Sequence, residues 1–231
     1  MKNTLYTLAF CSLTVGASQA AVFVLDLPPN TANIASGSSF TTSATLSGAT
    51  FDISYTLNAV ATDTTITPFI RSDGSHFGVG STPDGTNPGQ QRSIDAGDGE
   101  KVSITNLSIT NFNAGTSGLT QGDFSISFED VGILNGNSTQ DGVNLSFIGF
   151  GNTTANVTRP GNGATPALID LTALTNYDPA STALYLEPDN ANGSNRWSIN
   201  AISVDVTAVP EPSTFAMLGL GGLGLILRRR K

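Results

Sequence analysis

Apolar and polar residues alternate with a period of two along much of the chain. Phe51, Ile53, Tyr55 and Leu57 fall on one face of a predicted strand, with Asp52, Ser54 and Thr56 on the other. Phe124, Ile126 and Phe128 repeat the pattern against Ser125 and Ser127, and Leu145 and Phe147 flank Ser146. Helical periodicity is nearly absent. Trp197, Ile199 and Ala201 alternate, and then Ile202, Val204 and Val206 continue one residue out of step. Val102 and Ile104 pass to Leu107 and Ile109 with a similar shift. A slip of one residue exchanges the two faces of a strand, so each shift predicts a bulge or a bend.

Further strands are predicted at 22–25, 40–46, 65–70, 77–79 and 183–186, separated by Gly, Asn, Asp and Pro clusters that supply turns. About ten short strands at this spacing predict an all-β fold, a single antiparallel β-sandwich of jelly-roll type. The sandwich is expected over 21–208, because no Pro/Ser-rich linker or charge block divides that stretch. Two long loops are expected, 80–98 and 152–165. Glu129-Asp130 reads as a solvated turn after the strand at 124–128, and Trp197, the only tryptophan, as a core residue.

The two ends have a different pattern. Lys2 precedes a mostly apolar run, 5–15, and then Gly16-Ala17-Ser18-Gln19-Ala20 places small residues where a signal peptidase reads them. Residues 1–20 are therefore expected to be a secretory signal peptide cleaved between Ala20 and Ala21. At the other end, Val209-Pro210-Glu211-Pro212-Ser213-Thr214 leads into an uncharged apolar run, 215–227, closed by Arg228, Arg229, Arg230 and Lys231. A helix over that run would be about 20 Å long at ~1.5 Å per residue, against a hydrocarbon core of ~30 Å. The run suits a transient membrane segment with a basic stop on the cytoplasmic side. Cys11 lies in the predicted signal, so the exported protein would hold no cysteine and no disulfide.

The C-terminal order of Pro210-Glu211-Pro212, apolar run and arginine cluster resembles a PEP-CTERM protein-sorting signal over 209–231. The resemblance implies a bacterial exported protein handled by an exosortase, with Pro210, Glu211 and Pro212 as sorting residues and Arg228–Lys231 as the stop. It also implies a membrane-anchored precursor, release to the cell surface or extracellular matrix, and an association with exopolysaccharide and biofilm matrix.

Composition sharpens this picture. Charged residues make up 12% of the chain, about half the usual ~25%, and Ser, Thr, Asn and 25 glycines supply the polarity instead. Of ten basic residues, Lys2 and Arg228–Lys231 lie in the ends, whereas of eighteen acidic residues only Glu211 does. The body over 21–209 thus keeps five basic against seventeen acidic residues, a net −12. Such a body is no nucleic-acid binder, because phosphate recognition needs clustered Lys and Arg.

Chemistry-bearing patterns are few. His76 is the only histidine, which removes two-histidine metal sites, and it is expected to be a polar residue beside Gly74 and Ser75. No Gly-x-Ser-x-Gly elbow accompanies it, so a hydrolase is disfavoured and no catalytic residue is assigned. Glu100, Glu129 and Glu187 are the glutamates of the body, and none lies in a glycosidase motif. Asp95, Asp98 and Glu100, spaced by glycines, form a candidate Ca²⁺ loop, with an ordinary Asp-Gly turn as the simpler reading. Tyr177 and Tyr185 are the candidate ligand-binding aromatics. Three functions follow, in falling order: a non-catalytic structural or adhesive surface protein, a carbohydrate-binding module that could depend on Ca²⁺, and an exported hydrolase.

Overall fold

The computed structural model describes residues 18–62, 67–80, 94–95, 99–135, 142–148, 155–158, 167–172, 183–188 and 196–209. Fourteen strands are described: β1 (Gln19–Val24), β2 (Thr31–Ile34), β3 (Ser38–Leu46), β4 (Ala49–Ala61), β5 (Phe69–Ser72), β6 (Phe77–Gly80), β7 (Ile94–Asp95), β8 (Glu100–Asn113), β9 (Phe124–Asn135), β10 (Gly142–Ile148), β11 (Ala155–Thr158), β12 (Ala167–Asp170), β13 (Ala183–Pro188) and β14 (Arg196–Ala208).

They form two antiparallel sheets. The first runs β12-β9-β14-β6-β5-β2, with β1 and β7 also paired to β14, and the second runs β11-β10-β13-β8-β4-β3. The last eight strands pair as a long hairpin folded in half, β7 with β14, β8 with β13, β9 with β12 and β10 with β11. Rolling that hairpin up adds the pairs β9–β14 and β10–β13. This is the jelly-roll sandwich that the strand spacing predicts. The hairpin β3–β4 widens one sheet, and β1, β2, β5 and β6 widen the other.

The alternating residues of β4 show why the sheets stack. Phe51, Ile53, Tyr55 and Leu57 are buried, and the Asp, Ser and Thr between them face outward. Each such apolar side chain contributes about 1.5–3 kcal/mol on burial. Ile104, Leu107, Val131, Ile133, Leu184, Ile199 and Ile202 join them in one core. Trp197 is fully buried there, as expected.

Both predicted shifts are bulges. The β9–β14 register slips between Ile199 and Ala201, so Asn200 is the extra residue that lets Ile199 and Ile202 both face the core. On β8 the register slips opposite Tyr55, where Asn106 takes a left-handed backbone with φ 54°. A second slip opposite Phe51 uses Asn111, φ 48°, in the same way. Asn tolerates this region better than other non-glycine residues.

The structure departs from the sequence reading in four places. Glu129-Asp130 is no turn: β9 continues to Asn135, with Glu129 as an extra residue between Phe128 and Asp130. The expected loop at 80–98 contains β7, whose Ile94 is fully buried and pairs with Trp197. The expected loop at 152–165 contains β11. Of the strand expected at 65–70, residues 65–66 lie outside the described residues, 67–68 are not in a strand, and β5 begins at Phe69.

Candidate functional site

The first and last described strands pair with each other in one sheet of the sandwich. β1 pairs antiparallel with β14 from Gln19↔Ala208 to Val24↔Ser203. Ala20 and Ala21, the predicted cleavage pair, lie inside β1 opposite Thr207 and Val206. On its other side the same end of β14 pairs with β9, Thr207 with Ser125 and Ala208 with Phe124. The N–H of Val209 then donates to the carbonyl of Asp123 at 2.8 Å. The chain is thus held up to the residue before Pro210.

The neighbouring turns close this end. The Ser47 hydroxyl donates to the Gln19 side-chain oxygen at 2.7 Å. Gly115, φ 52°, lies so close to the Ser47-Gly48 turn that a Cβ there would sit 2.4 Å from the Gly48 carbonyl oxygen. Asp123 accepts from the N–H of Thr120 at 2.6 Å and from its hydroxyl at 2.9 Å. Phe23, Phe51, Phe112 and Phe124 pack below in T-shaped and tilted contacts, with ring centroids 5.4 to 6.2 Å apart.

The outer face of the second sheet is a field of hydroxyl and amide groups. Ser39 and Thr56 share a hydrogen bond of 2.9 Å, and Ser54 and Thr110 one of 2.8 Å. The Asn58 amide donates to Ser103 and Thr105, each at 3.2 Å. Asp52 accepts from Ser43 and from the Asn111 amide, each at 2.7 Å. Those hydrogen bonds, Asn111 foremost, hold its carboxyl below the usual carboxylate range. Asp52, Asn111, Ser43, Thr45 and Thr50 line a shallow concavity of about 310 Å³.

Tyr185 belongs to this face. It alternates with the buried Leu184 and Leu186 and stands opposite Ser103 and Ser146. Lys101 lies 5.8 Å from its ring centroid and 3.8 Å from a Glu187 carboxylate oxygen. Tyr177 lies outside the described residues, as do Asp98, Pro210, Glu211, Pro212, Arg228, Arg229, Arg230 and Lys231. Of the candidate Ca²⁺ loop, Asp95 is described as part of β7 opposite Arg196, and Glu100 is buried at the start of β8. Among the described residues no group of three His, Cys, Asp or Glu converges. His76, just before β6, has its Nδ1 3.2 Å from an Asp73 carboxylate oxygen.

The model of the PEP-CTERM protein-sorting motif matches residues 208–231. The chain carries a PEP-CTERM sorting signal. No match was found among curated proteins or among solved structures. The match begins at Ala208, the last residue of β14, so the PEP-CTERM segment follows directly on the sandwich. A PEP-CTERM signal marks an exported protein with an exosortase as its processing partner and a membrane-anchored precursor. Among the described residues no helix is long and apolar enough to cross a membrane, and the apolar run 215–227 lies outside them. Alternation alone could not have revealed that the PEP-CTERM junction is paired to the N-terminal strand. That contact joins residues nearly the whole chain apart, and only the closed sandwich creates it.

Proposed function

We propose that this chain is the precursor of a bacterial surface or extracellular-matrix protein whose sandwich is a non-catalytic structural or adhesive body. Signal peptidase trims it after Ala20, and an exosortase processes it near Pro210-Glu211-Pro212. One observation carries the reading: the sorting motif starts on the last residue of β14, so the sandwich is the cargo and the tail its address. A body of net −12 also stays soluble once released. The test replaces the motif, Pro210→Ala with Glu211→Ala, in cells that make the full chain. Loss of the extracellular form and build-up of a membrane-held precursor are expected. Unchanged release would overturn the sorting assignment.

A second reading, a carbohydrate-binding module, is favoured by Tyr185. Its ring stands opposite Ser103 and beside Lys101, on a face where the Asn58 amide donates to Ser103 and Thr105 and where a hydroxyl can both donate and accept. Aromatic rings beside such groups suit uncharged sugars, and an exopolysaccharide is the natural partner. Retention of the 21–208 fragment on polysaccharide, lost in Tyr185→Ala, supports this reading. No retention on any polysaccharide removes it. The calcium proposal for Asp95, Asp98 and Glu100 is tested by thermal unfolding with and without a chelator, where an unchanged midpoint dismisses it.

A further inference from the structure

The end of the sandwich that holds Gln19 and Val209 differs from the rest of the molecule in charge as well as in connectivity. Among the described residues its surface includes the Ser47-Gly48 turn, the stretch 114–120, the short 3-10 turn Gln121–Asp123, Gln19 and Val209. Asp123 is the only charged residue among these, and its carboxylate accepts from Thr120. The opposite end carries Glu100, Lys101, Glu187 and Arg196. Val209, at the junction itself, is more than half exposed.

Reach brings this end to the membrane. Only five residues, 210–214, separate Val209 from the apolar run. Fully extended they span at most ~18 Å at ~3.3–3.6 Å per residue. The fourteen-residue strand β8 is about 45 Å long at ~3.4 Å per residue. A tether less than half the body's length keeps the Val209 end close to the bilayer while the apolar run is inserted, and charge then decides whether the rest of the body lies down on it. An acidic body is repelled by anionic headgroups, whereas the described turns of this end carry only Asp123.

We propose that this end is a lipid-facing pole: in the anchored precursor the Ser47-Gly48 turn, the 114–120 stretch and Val209 lie against the membrane surface. The partner is the lipid headgroup region itself. The inference rests on the sorting reading above, in which 215–227 enters the bilayer.

The test uses the full chain with Cys11→Ser, reconstituted in vesicles of phosphatidylethanolamine and phosphatidylglycerol that contain headgroup spin-labelled lipid. A fluorophore is attached at Thr116→Cys on this pole, or at Ala35→Cys at the start of the β3–β4 hairpin, far from its Ser47-Gly48 turn. Both positions are exposed. Strong quenching at Thr116→Cys and at least fivefold weaker quenching at Ala35→Cys are expected. Equal quenching at both positions, or none at Thr116→Cys with the protein floating with vesicles, would overturn the pole. Failure to float at all would instead refute membrane anchoring, and with it the reading on which the pole rests.

Discussion

Gln19 stands opposite Ala208, so the first residue of the first strand and the last residue of the last strand close the same edge. The proposed cleavage between Ala20 and Ala21 would take Gln19 and Ala20 out of the ladder and leave Thr207 and Ala208 paired only to β9. It would also remove the Ser47 hydrogen bond to Gln19. Only the last two residues of the strand that leads into the sorting signal would then lie open, with Ala21–Val24 still paired to it.

A body beginning at Ala21 should accordingly be less stable than one beginning at Ser18 by about 1 kcal/mol, the net value of one or two hydrogen bonds. Denaturant unfolding measures the difference. Hydrogen exchange should place the faster amides at the Thr207–Ala208 end of β14. Uniform change across the sandwich would contradict the local account.

Tyr55 makes the fold sensitive to alkali. Its ring is buried, and its hydroxyl donates to the Asp26 carbonyl at 2.5 Å. Burial first, and the nearby Asp26 charge second, push its pKa well above 10. The raised value means that the folded state favours neutral tyrosine, so stability is intact below pH 10 and declines above it as the unfolded chain ionises. Tyr55→Phe should lose about 1–2 kcal/mol at neutral pH and lose less stability than the wild type between pH 9 and 11. Urea titrations at both ends of that range decide it.

Asn111 has two separable duties, a left-handed backbone at the bulge and an amide on Asp52. Asn111→Gly keeps the first and removes the second. The Asp52 pKa should then rise toward the ordinary carboxylate value, as read by NMR titration, with stability little changed. Asn111→Ala forfeits both, and the left-handed backbone alone should cost about 1–2 kcal/mol. Because Asp52 is depressed in the fold, its contribution is present above the unfolded pKa and is lost as pH falls below about 4.

Trp197 sits in the core opposite Ile94 and Asn135. Its fluorescence should be blue-shifted in the folded protein and move to the red in one transition with backbone circular dichroism. Trp197→Ala should destabilise by about 3–5 kcal/mol. Early exposure of Trp197, before loss of sheet, would place it outside the cooperative unit.

The strands with one buried face were legible, because burial on one side imposes alternation that survives in the residues of β4, β9 and β14. The bulges at Asn200 and Asn106 were legible for the same reason, as breaks in phase. The short strand β7 was not, since two residues carry no period, and its place is set by Trp197 across the ladder. Glu129-Asp130 misled because two acids ordinarily signal solvent, whereas here a bulge continues the strand. Of the site, the sorting tail was fully legible as a linear signal. The pairing of Gln19 with Ala208 was not, because it depends on how the whole jelly roll closes.

Intact-mass measurement of the protein recovered outside the cell tests the central claim most directly. The account predicts a chain that begins at Ala21 and ends at or near Pro210-Glu211-Pro212, without the segment 215–231. Extracellular protein that still carries Phe215 to Lys231 would contradict it.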